Sequence, residues 1–415
     1  MKILISSIAC QPGLGSEAKV GWDAILAIAG THECHVITHS VSKDAIHAVQ
    51  REGMAANVTF HFHGENYTWH SNRLIARIQS WLIYRKWQSG LLDIAIRLHR
   101  KHHYNIVHHL TYATWRVPSP LWQLPIPFVW GPIGGAAKMP LQFYQILSPS
   151  AVAFEVARNI STWISSRSKA FLECVQESTV VIAANQETIT FLRQFRKTAP
   201  IHKLPVAFFS DEQVHTLRKG RRVAASLPGQ PLRIFAGGNL IGSKGLALAL
   251  KALALAQKKG ISCHYTIAGG GPEVARLQRL TQSLGLTASV LFHSGYSGQS
   301  YIEKLQTSDV YLMPSFRETT PVTLLESILA GCFPIIVNQS AAGEILSALG
   351  GGIAVEALNV PETIFNLATA LEWCFENKAK LAVQAAVLGD KVEELFCKNS
   401  YLSHVNSIYD SLKSP

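Results

Sequence analysis

Twice along this chain, short β-rich apolar runs alternate with longer helix-forming stretches, and that alternation admits few folds. The first series of runs covers residues 2–8, 34–38, 58–62, 106–110, 127–130 and 179–183. A second series restarts the pattern at residues 232–236, 264–268, 289–293, 310–313, 333–337 and 352–355. Strands separated by helix-length stretches predict parallel sheets wrapped by helices, so the chain reads as two doubly wound α/β domains. Its 415 residues suit two cores better than one. In open parallel sheets ligands sit beyond the carboxyl ends of the strands, so two such domains facing a central cleft would place their chemistry at strand ends.

Residues 206–231 follow Pro205, carry Gly220, Pro228, Gly229 and Pro231, and lack strong periodicity. They read as a linker between an N-terminal domain of residues 1–205 and a C-terminal domain of residues 232–395. Residues 396–415 read as a helical segment able to pack back on the first domain.

No uninterrupted apolar run approaches the ~18 residues of a membrane-spanning helix, because Lys251 splits even the Leu/Ala-rich stretch 246–256. The start of the chain reads as a first buried strand rather than a signal peptide. Seven scattered cysteines, an odd total with no C-x-x-C pair, point to a reduced, cytoplasmic setting. The net charge of +11 is one-sided: residues 1–205 hold 20 Lys/Arg against 11 Asp/Glu, or +9, while the rest hold 18 against 16, or +2. Such an excess suits an anionic partner, whether nucleic acid, a membrane surface or a substrate.

Four stretches carry the candidate chemistry. After the first strand comes Cys10-Gln-Pro-Gly-Leu-Gly-Ser-Glu-Ala18, where Gly13 and Gly15 permit a tight turn and Ser16 can cap a helix running to about Ala29. A bare helix start attracts anions. In the second half, Lys244 stands just before a helix that begins near Leu246, where a cation opposes the helix dipole unless an anion lies between. The run Ala268-Gly-Gly-Gly-Pro272 would let backbone approach a ligand closely, and a plain turn reads equally well. The fourth stretch, 310–331, places Thr320 as a helix N-cap, Pro321 at the first helical position and Gly331 as the stop. At helical periodicity Glu326 shares a face with Val322, Thr323 and Ala330, while Leu324, Leu325 and Ile328 point to the core. Glu318 lies in the loop ahead. The two carboxylates flank free N–H groups, an arrangement that suits a polyol on the acids and a diphosphate on the helix end.

With this spacing from Glu318 to Glu326, the sequence resembles the retaining family 4 glycosyltransferases of GT-B architecture, whose second domain carries a Glu, seven residues and a second Glu. The resemblance extends to the Gly13/Gly15 loop, the Gly-Asn-Leu-x-x-x-Lys-Gly stretch of residues 238–245, the Ala-Gly-Gly-Gly-Pro run and Pro314-Ser315. It implies an acceptor-side first domain and a second domain that binds a nucleotide sugar. Glu326 would hold the ribose and Glu318 the transferred sugar. Lys244, with the backbone of Thr319, Thr320, Val322 and Thr323, would hold the diphosphate. Asn239 and Gly270 would line the donor, and His293 would lie near the base. Asn239 stands where the family usually has Arg, so one phosphate contact is missing or comes from elsewhere.

The family's active-site His often falls where this chain has Leu110, next to His108 and His109. His109 is the candidate by proximity and His108 the second, against a purely structural role for both. No Asp-x-Asp occurs, so no metal site and no cofactor are expected beyond the nucleotide sugar as substrate. The implied reaction is transfer of a sugar to a glycan or lipid-linked acceptor in surface polysaccharide or glycoconjugate synthesis. Rivals are an epimerase or a sugar phosphorylase of the same architecture. An NAD-dependent oxidoreductase would lack the third Gly of its G-x-G-x-x-G fingerprint and leave the Glu pair unexplained. A nucleic-acid binder would have no recognised motif. A stripe of Leu74, Ile75, Ile78, Trp81 and Leu82, flanked by Arg73, Arg77, Arg85, Lys86 and Trp87, suits peripheral attachment to an anionic inner membrane face, or equally an ordinary packed helix.

Overall fold

The computed structural model describes residues 1–67, 73–220 and 230–413, and for Ser16 and residues 73–78 the backbone only. The chain forms two compact units, each of them α/β. The first unit gathers Met1–Ala136, Ile160–Ala207 and the chain from Lys398 onward; the second gathers Ala137–Asn159 and Phe208–Cys397.

Among its described residues the first unit holds seven strands, β1 (Lys2–Ser7), β2 (Glu33–His39), β3 (Val58–His63), β4 (Ile106–Thr111), β5 (Phe128–Ile133), β6 (Val180–Ala183) and β7 (Ile201–Lys203), all paired in parallel. Their order is β3-β2-β1-β4-β5-β6-β7. The second unit holds β8 (Leu232–Gly237), β9 (Cys263–Ala268), β10 (Val290–His293), β11 (Val310–Met313), β12 (Phe333–Val337) and β13 (Ile353–Val355), also parallel, in the order β10-β9-β8-β11-β12-β13. In both sheets the winding reverses beside the first strand, between β1 and β4 and between β8 and β11. These are the switch points where doubly wound folds bind ligands.

Alternation along each strand sends side chains to opposite faces of the sheet. In the second unit Ile234, Leu312 and Ile335 join one apolar core with the helix Leu246–Lys258. Their neighbours Phe235, Met313 and Ile336 join another core with Leu324, Leu325 and Ile328 of the helix Val322–Leu329. Strands buried on both faces are apolar at nearly every position, which is why they read as continuous runs.

Two boundaries differ from the linear reading. Ala137–Asn159 packs in the second unit, because Met139, Phe143 and Ile146 fill its core and the Phe143 ring lies 4.4 Å from that of Phe316. The expected linker contains a helix, Asp211–Lys219, whose Val214 and Leu217 are buried in the second unit. Ser210 and Gln213 close a reciprocal capping box at its start, and the acidic first turn and basic last turn complement the helix dipole. Residues 221–229 of that segment lie outside the described residues.

Candidate functional site

At the switch point of the second unit, the loops leaving β8 and β11 lie against each other because Gly245 has no side chain. Its backbone is left-handed, with φ +65°, and a Cβ there would meet the Pro314 carbonyl oxygen at 2.0 Å. This approach sets Lys244, in the single turn Gly242–Lys244, beside Glu318 in the loop after β11. The Lys244 ammonium donates to Glu318 Oε1 at 2.6 Å, and both side chains are largely sheltered. The cation at the start of the helix Leu246–Lys258 thus has its anion, and Glu318 supplies it. Glu318 is positioned in turn by its amide, which donates to Ser340 Oγ at 2.9 Å.

Glu326 lies on the helix Val322–Leu329, half-buried beside Val322 and Thr323, while Leu324, Leu325 and Ile328 are buried. The Tyr301 hydroxyl donates to Glu326 Oε2 at 2.9 Å. Burial, reinforced by the Glu326 charge, pushes the Tyr301 phenol well above its ordinary pKa and keeps it a donor. The Tyr311 hydroxyl donates to Thr323 Oγ1 at 2.8 Å and fixes the first turn.

The helix begins one residue later than expected, with Pro321 in the capping position. Thr320 therefore is not the cap. The Val322 amide donates to the Thr320 carbonyl at 2.9 Å, and Pro321 has no N–H to offer. Of the expected diphosphate donors, the Val322 amide is already committed in this conformation.

The remaining donor-side candidates sit at neighbouring strand ends. Asn239 is exposed in the loop after β8. Gly270 follows β9 and faces open space, while at Gly269 beside it, with φ +128°, an added Cβ would meet the Gly238 carbonyl oxygen at 1.9 Å. His293 ends β10 and stacks flat on Tyr296, with ring centroids 3.9 Å apart. Thr319 is half-buried in the loop between Glu318 and the helix. Tyr301, Tyr296 and Ser340 escaped the sequence reading, since their roles arise from contacts between segments.

In the first unit, Gly13, at φ +76°, and Gly15 lie in an exposed loop before the helix Ser16–Ala29. Gly15, not Ser16, holds the capping position. Glu17 in the first turn accepts the Ala113 amide at 3.1 Å, tying this loop to the end of β4. Burial raises the Glu17 carboxyl pKa, and the Ala113 bond opposes that rise.

His109 is fully enclosed in β4: Nδ1 lies 3.0 Å from Ser6 Oγ and Nε2 lies 3.1 Å from the Tyr84 hydroxyl. His108 is equally enclosed, between the Tyr409 hydroxyl at 2.5 Å and the Gly131 carbonyl at 2.7 Å. The structure thus places the sequence-derived catalytic candidate among core contacts, with both ring nitrogens engaged. Burial drives the His108 pKa down to about 4, against the Gly131 bond that raises it, and drives that of His109 to about 3, with His108 adding to the fall.

These depressed values carry a stability consequence. Below pH ~6.5 the unfolded chain takes up protons that the folded histidines refuse, so stability falls as the pH drops from that value toward 4. At pH 5 each histidine is expected to cost about 2 kcal/mol relative to neutrality. Chemical denaturation at pH 7 and pH 5 checks this; equal stability at the two values would contradict it.

Residues 221–385 match the model of the family described as glycosyl transferases group 1. A 107-residue stretch of the chain is 31% identical to the putative glycosyltransferase EpsF of Bacillus subtilis, covering 26% of this chain and 27% of that protein. A 190-residue stretch is 29% identical to the GDP-mannose-dependent alpha-(1-6)-phosphatidylinositol dimannoside mannosyltransferase of Mycobacterium tuberculosis, covering 44% and 48%. The aligned regions thus span about a quarter to a half of the curated relatives' length. The fold of the chain matches that of sucrose-phosphate synthase from Thermosynechococcus elongatus, with a TM-score of 0.64 at 15% identity over 99% of this chain and 98% of that one. The fold class is GT-B, with two Rossmann-like units.

Proposed function

We propose that this protein is a retaining glycosyltransferase of the family 4 kind, which moves a sugar from a nucleotide-diphosphate donor to a glycan or lipid-linked acceptor. The observation that carries this reading is the Lys244–Glu318 ion pair at the second unit's switch point, with Glu326 held by Tyr301 on the adjoining helix. A diphosphate reaching Lys244 would exchange one anion for another there, freeing the Glu318 carboxylate to face the sugar. As the glycosidic bond breaks, positive charge grows on the sugar and negative charge on the leaving diphosphate. Glu318 stabilises the first and Lys244 the second. The acceptor then attacks the face the diphosphate leaves, and the departing phosphate takes its proton. Glu326 accepts hydrogen bonds from the ribose hydroxyls.

The name of the mycobacterial relative, which is GDP-mannose-dependent and acts on a phosphatidylinositol dimannoside, supports a nucleotide sugar as donor and a lipid-linked acceptor. Work on a lipid-linked acceptor of a surface polysaccharide fits peripheral attachment to an anionic inner membrane face through the first unit. Of the stripe expected near residues 73–87, Leu74, Ile75 and Ile78 lie outside the described side chains, while Trp81 and Leu82 are exposed. Among the described residues no helix is long and apolar enough to cross a membrane. Lys244 supplies the phosphate charge that a metal supplies elsewhere, so transfer should persist without a divalent ion.

Product analysis tests the proposal. With excess chelator and a panel of α-linked nucleotide sugars, one donor should yield free nucleoside diphosphate and a product that is α at its first appearance by NMR. A β product, an epimerised donor, or activity present only with magnesium or manganese would contradict it.

A further inference from the structure

The helix Pro149–Ser165 and the turn after it are amphipathic in the inverted sense. At ~100° per residue, Val156, Ile160, Trp163, Ile164 and Arg167 fall on one arc, and Glu155, Asn159, Thr162 and Ser166 on another about a third of a turn away. The polar arc points inward. Glu155 is 3% exposed and pairs with Arg317, and Thr162 is 5% exposed and accepts from the Arg116 guanidinium at 2.8 Å. The apolar arc points out: Ile160, Trp163 and Ile164 are each more than half exposed, at 54%, 59% and 57%. Burying polar groups while baring a Trp and two Ile reverses what stabilises a helix on a soluble surface.

Another helix, Arg73–His102 of the first unit, repeats the pattern in a short form. Trp81 and Leu82 are exposed, and the Arg85 guanidinium lies 4.6 Å over the Trp81 ring, as that of Arg167 lies 4.5 Å over Trp163. Both read Trp-Leu/Ile-x-x-Arg. A tryptophan beside an aliphatic residue and beneath a guanidinium matches a lipid interface, where the ring sits at headgroup depth and the cation meets phosphate.

We propose that the outward face formed by Ile160, Trp163, Ile164 and Arg167 docks on an anionic lipid bilayer. Charge selects this occupant. Arg167 is exposed, Lys169 follows it in sequence, and residues 1–205 carry a net +9. A second copy of the chain would bring that same positive charge against itself, whereas an anionic leaflet neutralises it. The inference deepens the membrane partner named above and rests on that reading for its biological sense, but not on the donor chemistry.

The test uses the full chain, pelleted with phosphatidylcholine vesicles that contain or lack phosphatidylglycerol. The parent should bind the anionic vesicles, and binding should weaken as salt rises. The double variant I160S/W163S should bind roughly tenfold or more weakly, and R167E should lose affinity for anionic vesicles specifically. Nucleoside-diphosphate binding, measured on the same samples, should be unchanged in both variants. It reports folding, and in the parent it separates failure of the donor reading from failure of this one. Vesicle binding equal to the parent in I160S/W163S and R167E would overturn the proposal. So would parent binding indifferent to phosphatidylglycerol, or a parent dimer that the same substitutions dissolve without any uptake on vesicles.

Discussion

Replacing Glu318 by Gln is expected to lower turnover at saturating donor by about 10²- to 10³-fold, the usual cost of removing one preorganised electrostatic contact from a transition state. The same change should leave affinity for bare nucleoside diphosphate intact or improve it. The reason is the 2.6 Å pair: in the parent, an incoming diphosphate competes with the Glu318 carboxylate for the Lys244 ammonium. A neutral amide removes that competitor. The loss should therefore appear in kcat with little or no rise in KM, the signature of an interaction made in the transition state. Steady-state rates with the best donor, together with nucleotide titration, check both halves. Normal turnover, or a loss confined to KM, would remove Glu318 from the sugar.

Much of this arrangement is legible in the residues. Strand positions are, because a parallel sheet buried on both faces turns each strand into an apolar run, and β11 and β12 fall at residues 310–313 and 333–337 as expected. β7 is not: Ile201–Lys203 is a three-residue edge strand with two exposed positions, too short to carry periodicity. The helix at Asp211–Lys219 was readable from Ser210 and Gln213 three apart, a capping signal that the neighbouring Gly and Pro residues obscured.

Chain order, in contrast, does not tell which core a segment joins. Phe143 looks the same beside either sheet until it meets Phe316. The face of Glu326 follows from helical periodicity alone, whereas its partner Tyr301 is 25 residues away on another helix and needs the fold to be found. His109 illustrates the converse. A histidine near a strand end suggests chemistry, but β4 is buried at every position on both faces, and His109 bonds Ser6 and Tyr84 there.

Replacing Glu326 by Gln is expected to act on binding instead. Its carboxylate accepts from Tyr301 and, in this account, from the ribose; a hydrogen bond to a charged acceptor contributes about 1.5 to 3 kcal/mol, or roughly tenfold to 150-fold in Kd. That loss should be shared by the bare nucleoside diphosphate and the whole donor, because the ribose is common to both. Tyr301 would remain bonded to the amide oxygen, so the helix should stay in place.

Calorimetric titration of the full chain with UDP and GDP, for the parent and the two single variants side by side, is the most direct measurement of the claim that the second unit's switch point is the donor site. The account predicts that the parent binds at least one of the two nucleotides, that the Glu326 variant binds it at least tenfold more weakly, and that the Glu318 variant binds it as well as the parent or better. A parent that binds neither nucleotide, or a Glu326 variant that binds like the parent, would contradict it.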